Sequence, residues 1–156
     1  MLEKKAASSS QVVMTQLVLP THTNALDTVF GGTVMSWIDI AAAVAAQRHS
    51  GKDVVTASID QLNFIAPIRR GWVVNLKASV NFVSKTSMEI GVRVDAENPK
   101  TAEMFHTASA YLTFVALGSD GKPTEIPGLI IQSEIEKRRF ASAEKRRSQR
   151  LANRSV

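Results

Sequence analysis

The chain contains a predicted helix that is apolar on nearly every side. It follows a Gly-Gly pair and extends from about residue 33 to residue 49. The alanine-rich run 41–46 leaves it no polar face, and such a helix is either enclosed by other structure or lies in a membrane. The run is too short and too interrupted to span a membrane. We therefore expect a sheet to curl around this helix.

A single carboxylate, Asp39, stands in the middle of the apolar helix. Burying a carboxylate without a partner is costly, and aspartate is also a poor helix former. Two interpretations are open. Asp39 faces a polar seam or caps a neighbouring group, or it faces a functional site. We favour the second, because aspartate is rarely buried without a partner.

The composition is that of a soluble globular protein with one domain. The 156 residues suffice for a single core, and 44% of them are apolar against 21% that are charged. Cysteine is absent, which excludes disulfides, thiolate nucleophiles and thiolate metal sites. The three histidines are scattered without the spacing of metal ligands. We expect neither a metal nor a cofactor.

The N-terminal segment, residues 1–10, is polar and rich in serine. It carries charge but no apolar stretch of the kind that a secretory signal needs. We expect this segment to be disordered, and we expect a cytoplasmic protein without a membrane partner. The globular domain is predicted to follow over residues 11–128.

The C-terminal residues 129–156 are predicted to form a basic helix and tail, with the helix from about residue 129 to residue 153. The net charge of the chain is +5, and basic residues crowd this end. Such a tail suits nucleic acid, acidic lipid or a phosphorylated small molecule. We expect no nucleic-acid partner, because aromatic residues are not interleaved and no nucleic-acid module is visible.

Strand patterns flank the apolar helix on both sides. A first strand is predicted over residues 11–19, and four more over Asp53–Phe64, 72–83, 87–97 and 101–117. The last three alternate apolar and polar residues, which is typical of half-buried antiparallel strands. Short links predict that the four form a meander. We expect the long edge strand to pair with a second copy in a symmetric dimer, because an unpaired edge invites aggregation.

Several motifs together carry a family resemblance. They are NALDTVFGGTVMSWID at residues 24–39, TASIDQLNFIAPIRRGWVV at residues 56–74, SKTSMEIGVRV at residues 84–94 and the basic tail RRFASAEKRRSQR. Over residues 12–150 the chain resembles the hot-dog fold acyl-CoA thioesterases, most closely the branch of the bacterial YciA-type enzymes and the brain-type cytosolic acyl-CoA hydrolase. The resemblance implies an α+β fold in which an antiparallel sheet wraps one long central helix.

The same resemblance implies a function and a catalytic pair. In that family an aspartate on the central helix and an asparagine in the preceding loop are catalytic, and they map by motif onto Asp39 and Asn24. The family also implies that the two residues come from different protomers of a homodimer, and that three dimers associate. The expected reaction is hydrolysis of a fatty acyl-CoA to the free acid and coenzyme A.

These residue types suit thioester hydrolysis, although the sequence leaves their roles open. Asp39 can activate a water as general base or attack directly to form an anhydride. Asn24 can orient the water or donate to the thioester carbonyl, or merely cap its own turn. Gly31 and Gly32 suit an oxyanion site, because N–H groups are free at a helix start. The alternative for both glycines is a tight turn with close packing.

Coenzyme A carries phosphates, so basic and hydroxyl groups are expected near the site. The predicted CoA-binding residues are Ser84, Lys85, Thr86 and Ser87 in a hairpin, together with Arg69, Arg70, Arg146 and Arg147. The alternative for each of them is an ordinary solvated surface residue.

Two other functions stay open. Another hot-dog enzyme, such as an enoyl-CoA hydratase, usually presents a catalytic histidine, and none stands in the interior of the central helix or just before it. A non-catalytic acyl-CoA-binding or regulatory protein has no need for a buried carboxylate. The acyl chain length that the protein prefers is not predicted.

Overall fold

A five-stranded antiparallel sheet curls around the long helix α1, Gly31–Ser50, in the computed structural model, which describes residues 2–155. The strands of this sheet are β2 (Val12–Leu17), β3 (Asp53–Phe64), β4 (Val73–Val83), β5 (Ser87–Asn98) and β6 (Glu103–Leu117). Two-residue strands β1 (Lys5–Ala6) and β7 (Leu129–Ile130) pair in parallel, and helix α2 spans Glu134–Ala152. Within residues 2–155, no helix is both long and apolar enough to cross a membrane.

The order of strands corrects the predicted meander. The sheet runs β2-β4-β5-β6-β3, so β4, β5 and β6 form hairpins, whereas β3 pairs with β6 at one edge. Residues 65–72 cross from β3 to the far side of the sheet. This crossing is anchored by Ile68, which is buried and whose carbonyl accepts a hydrogen bond from the Val29 N–H. Short links and alternation do not reveal such a crossing, because neither depends on which strands become neighbours.

The central helix packs its small residues against the concave face of the sheet. Ala41, Ala42, Ala45 and Ala46 are fully buried, and their short side chains let the helix lie close to the strands. Gly51 ends the helix with φ 67°, the left-handed conformation that glycine adopts readily. The enclosure is incomplete, since Met35 and Ile40 of α1 are exposed.

Helix α2 lies across the outer face of the sheet. It begins later than predicted, because residues 129–130 form β7 and the Ser133 hydroxyl caps α2 by accepting the Glu136 N–H. A bulge in β4 turns Phe82 outward, where its ring meets Phe140 of α2 at 4.8 Å. The basic helix is therefore packed onto the sheet.

The expectation of disorder over residues 1–10 is wrong for the part that the structure describes. Lys5 and Ala6 pair with β7, and the following 3-10 turn buries Ala7 and Ser10. The Lys5 ammonium also donates to the Arg48 carbonyl, at 3.4 Å. This segment is ordered by contacts with residues that are distant in the sequence. Its polar composition alone therefore suggested disorder wrongly. Met1 lies outside the described residues.

A buried histidine joins the end of α1 to residues 126–128. His49 is fully buried, and its Nε2–H donates to the Pro127 carbonyl at 2.8 Å. Its Nδ1 is buried without a partner among the described residues. Burial lowers the pKa of His49 and the nearby Lys5 ammonium acts in the same direction, whereas the bond to Pro127 opposes them. The folded protein therefore holds this imidazole neutral.

Stability is expected to fall as the pH drops below about 6.5, the ordinary pKa of histidine. The unfolded chain then takes up a proton that the folded chain resists, so His49 costs at most about 1.4 kcal/mol per pH unit. The free energy of unfolding should be measured from pH 8 to pH 5 for wild type and for His49→Gln. The difference between the two proteins should be constant near pH 8 and shrink in acid. Parallel curves down to pH 5 would contradict this prediction.

Candidate active site

Asp39 lies on α1 and faces the edge strand β3. Its side chain is partly buried, and the Thr56 hydroxyl of β3 donates to Oδ1 at 2.7 Å. Among residues 2–155, the other carboxylate oxygen, Oδ2, receives no hydrogen bond. One oxygen is thus held by the sheet while the other can accept a proton, which is the arrangement that a general base needs.

Thr56 is a site residue that the sequence did not single out. It occupies β3 just before a register shift between Thr56 and Ser58. Because β3 alternates least regularly, its sequence does not show which side chains face the helix. A threonine on the strand that directly follows a carboxylate-bearing helix was the available signal, and it is weak by itself.

Asn24 is fixed in the loop before α1 by its own side-chain oxygen. Oδ1 accepts the Leu26 N–H at 2.9 Å, the Thr28 N–H at 3.3 Å and the Thr28 hydroxyl at 3.2 Å. The capping interpretation therefore holds for this oxygen. The amide Nδ2 has no hydrogen-bond partner in the described part of the chain, and it remains available as a donor.

The two glycines begin α1 and leave their backbone donors free. The N–H groups of Thr33 and Val34 both reach the Phe30 carbonyl, whereas those of Gly31 and Gly32 bond no acceptor within residues 2–155. A Cβ on Gly31 would lie 3.3 Å from the Phe64 ring, and one on Gly32 would meet nothing within 4 Å. Close packing thus explains Gly31 in part, and it does not explain Gly32.

The two predicted catalytic residues of one chain lie in different elements of the structure. Asn24 belongs to the loop before α1. In this loop the Phe30 N–H donates to the backbone carbonyl of His22. Asp39 comes eight residues after Gly31, or about 12 Å along the helix axis.

The predicted CoA-binding residues occupy three separate places. Arg69 and Arg70 are exposed beside the Asn24 loop, where Arg70 pairs with Asp27 at 3.2 Å. The hairpin residues lie at the opposite end of the fold, next to the end of β6. There the hydroxyls of Ser84 and Ser87 bond each other at 2.6 Å, while Lys85 is exposed and Thr86 half-buried.

Arg146 is already bound by a carboxylate of the sheet. Its guanidinium binds Glu89 through two bonds of 2.8 Å and lies 3.6 Å above the centre of the Tyr111 ring, on the outer face of the sheet. The bond to Glu89 raises the pKa of Arg146 above its ordinary value. Arg146 is therefore a partly buried cation that a carboxylate in the sheet already holds, and its contact with coenzyme A stays a prediction. Arg147 is half-buried on the same helix and stays a prediction.

Comparison with known proteins assigns the family. The Thioesterase superfamily profile matches residues 26–103. An uncharacterized acyl-CoA thioester hydrolase of Bacillus subtilis, YkhA, is 38% identical over 160 residues, which cover 97% of this chain and 93% of the relative. The chain belongs to the thioesterase superfamily. Another member, the cytosolic acyl coenzyme A thioester hydrolase of Homo sapiens, is 36% identical over 97% of this chain, which spans 40% of that longer protein.

Solved structures of the superfamily confirm the predicted α+β hot-dog fold. A hexameric acyl-CoA thioesterase without ligand is 37% identical, with a TM-score of 0.95 and 99% coverage of both chains. An acyl-CoA hydrolase from Staphylococcus aureus, in complex with butyryl coenzyme A and coenzyme A, is 37% identical with a TM-score of 0.90, over 97% of this chain and 92% of that one. Characterised variants of that enzyme carry alanine in place of an aspartate, a threonine or an asparagine.

Proposed function

We propose that this protein is an acyl-CoA thioesterase that hydrolyses fatty acyl-CoA to the free acid and coenzyme A. The observation that carries the proposal is the partly buried Asp39, whose one oxygen is held by Thr56 and whose other oxygen has no hydrogen bond from the described residues 2–155. A carboxylate in this arrangement is costly as mere structure and useful as a base. The names of the relatives, acyl-CoA thioester hydrolases, support the same activity.

In the proposed reaction Asp39 Oδ2 takes a proton from a water whose oxygen attacks the thioester carbonyl carbon. The carbonyl oxygen becomes an oxyanion, and free N–H groups at Gly31 and Gly32 or the Asn24 amide stabilise it. Collapse of the tetrahedral intermediate breaks the C–S bond, and the proton held by Asp39 passes to the departing thiolate. Direct attack by Asp39 through an anhydride is the alternative within the same site.

The spacing of three residues supports this assignment. In the Staphylococcus aureus enzyme the substituted asparagine precedes the substituted aspartate by 15 positions, and the substituted threonine follows it by 17. Asn24, Asp39 and Thr56 have the same spacing. We therefore assign Asn24 and Asp39 to the catalytic pair and Thr56 to the positioning of Asp39.

The site is proposed to form between two protomers. Within residues 2–155, strand β3 is a sheet edge with one side unpaired. An apolar surface continues from it onto α1, and its exposed members are Phe30, Met35, Ile40, Val55 and Phe64. Two identical edges that pair antiparallel are related by a two-fold axis, which inverts the chain direction. The start of the partner's α1 is then brought towards Asp39. The hexameric thioesterases among the solved structures support an assembly of three such dimers.

The same two-fold axis would gather the predicted phosphate contacts. It places the 84–87 hairpin of one protomer at the end of the dimer where the partner presents Arg69 and Arg70. Lys85 and Thr86 would then share one coenzyme A with the two arginines. Because the Ser84 and Ser87 hydroxyls bond each other, we expect Lys85 to be the main phosphate contact of the hairpin.

Subunit mixing tests the composite site. Asn24→Ala and Asp39→Asn should each be nearly inactive alone, whereas their mixed dimer contains one site with both residues intact. Random assortment of equal amounts restores about a quarter of the wild-type sites. The measurement is thiol release after the two proteins are unfolded and refolded together. No recovery, in a mixture shown to contain mixed dimers, would place both residues in one protomer.

Loss of the Thr56 hydroxyl should slow turnover without unfolding the protein. Thr56→Val removes a hydrogen bond to a charged group, and we expect kcat to fall about tenfold or more with a smaller change in KM. Thr56→Ser should restore most of the rate. The matched control is Ser58→Ala on the same strand, whose hydroxyl is buried without a partner in the described chain. Equal losses in the Thr56→Val and Ser58→Ala variants would show a general effect of β3.

The deciding experiment for the function is thiol release from short-, medium- and long-chain acyl-CoA by the purified protein. Turnover supports the hydrolase, and the profile gives the chain length. Binding without thiol release would favour the acyl-CoA-binding or regulatory alternative. Hydration of crotonyl-CoA without hydrolysis would favour the enoyl-CoA hydratase alternative.

We further propose a cytoplasmic location, which the relatives named cytosolic support.

A further inference from the structure

A second cavity lies on the opposite face of the sheet from α1 and Asp39. It is open to solvent, has a volume of about 540 Å³ and is bounded by β2, β4, β5, β6 and α2. Its polar lining combines side chains of the sheet with side chains of α2. The polar lining includes Lys77, Ser79, Arg93, Arg138, Arg139 and Ser142.

The lining of this outer-face cavity is strongly basic. Lysine and arginine side chains line it from both the sheet and α2, and no carboxylate is among its lining residues. Two of the lining arginines are already paired: Arg93 with Asp95 at 3.1 Å and Arg146 with Glu89 at 2.8 Å. Lys77, Arg138 and Arg139 have no ion pair within residues 2–155. Three positive charges are therefore left uncompensated around one open volume.

The backbone holds these charges together. Lys77 and Arg93 are direct cross-strand partners in β4 and β5, and like charges in that position destabilise a sheet. Helix α2 adds Arg138 and Arg139 from above, and the Arg146–Glu89 pair keeps the helix on the sheet. An anion bound between the strands and α2 would therefore be attracted by Lys77, Arg138 and Arg139 together.

Free hydroxyl groups complete the recognition. Ser79 of β4 and Ser142 of α2 are half-buried in the lining, and neither hydroxyl has a hydrogen-bond partner in the part of the chain that the structure describes. The lining offers no open aromatic face, since Arg146 covers the Tyr111 ring. The cavity is thus equipped for phosphate oxygens and lacks a surface on which a base could stack.

We propose that the outer-face cavity binds a polyphosphate group of two or three phosphates, with Lys77, Arg138 and Arg139 as its main contacts. Such a group is carried by nucleoside polyphosphates and by coenzyme A. The proposal goes beyond hydrolysis at Asp39, because α1 and the cavity are on opposite faces of the sheet.

The test is a calorimetric titration of the full chain with inorganic tripolyphosphate at low and high salt. The double variant Lys77→Gln/Arg138→Gln should bind at least about tenfold more weakly, since it loses two charged contacts. The control, Lys137→Gln/Lys145→Gln, removes the same charge from exposed positions of α2 outside the cavity lining. The affinity of this control should stay within about twofold of wild type. Added salt should weaken the binding of tripolyphosphate to the wild type and to the control alike.

Two outcomes would overturn the proposal: no binding of tripolyphosphate at millimolar concentration in low salt, or equal loss in the two double variants. Parallel titrations with ATP and coenzyme A identify the source of the polyphosphate group. The source is the compound whose binding becomes weaker in the Lys77→Gln/Arg138→Gln variant. Turnover is not measured in these titrations, so their failure leaves the proposed hydrolysis standing, and an inactive protein leaves this proposal standing.

Discussion

Replacing Asp39 by Asn is expected to lower thiol release from acyl-CoA by about two orders of magnitude or more. The substitution keeps the size of the side chain and the bond from Thr56, because the Asn oxygen still accepts it. What disappears is the basic oxygen that takes the proton from water. The loss should therefore appear in kcat, while KM for the substrate changes little.

The control for this experiment is Asp53→Asn, an exposed aspartate at the start of β3. It removes the same charge on the strand that bears Thr56, and its kcat should stay at the wild-type value. The unfolding midpoints of both variants should also match wild type. If Asp39→Asn kept more than a tenth of the wild-type rate, Asp39 would be a structural residue and the proposed chemistry would be wrong.

The largest effect on stability is expected at Arg146. Arg146→Met leaves Glu89, which is 4% exposed, without its cation in the outer face of the sheet. Breaking a buried ion pair in this way costs about 3–5 kcal/mol. For a chain of this length the Tm should fall by roughly 10 °C. Urea unfolding followed by circular dichroism measures the loss.

Two further variants show whether the unpaired charge is the cause. In Glu89→Gln/Arg146→Met the neutral Gln still accepts the hydrogen bond from Asn81, so most of the lost stability should return. Lys145→Met changes an exposed neighbour on α2 and should shift stability by no more than about 0.5 kcal/mol. If the double variant were as unstable as Arg146→Met, the packing of the Arg146 side chain on Tyr111 would be the dominant contribution.

The helices and strands were largely predictable because their signals are local. The Asp53–Phe64 strand appears with the predicted bounds, and α1 extends the predicted helix by one or two residues at each end. Apolar residues that repeat with the period of a helix or a strand bury one face wherever the element packs. The start of α2 was missed, since residues 129–130 become a strand only by meeting β1.

The candidate site was predictable in part. Asp39 stood out as a lone carboxylate in an apolar helix, the two glycines stood out at the start of that helix, and the motif resemblance added Asn24. Thr56 escaped notice because a threonine in a strand is ordinary until a carboxylate lies 2.7 Å away. The ion pair of Arg146 escaped prediction for a similar reason: its charge is visible in the sequence, but its partner Glu89 is 57 residues distant.

Local chemistry in the sequence determined that a small-residue helix would be enclosed by antiparallel strands and would carry one carboxylate. Only the tertiary structure decided that β3 lies at the edge beside β6, that residues 5–10 are ordered, and which charges are paired. Those outcomes depend on contacts between residues far apart in the chain. The periodicity of apolar residues is a local signal, so it does not predict such contacts. In the same way, the tertiary structure leaves Lys77, Arg138 and Arg139 without an ion pair within residues 2–155 at the outer-face cavity, and it pairs Arg146 with Glu89.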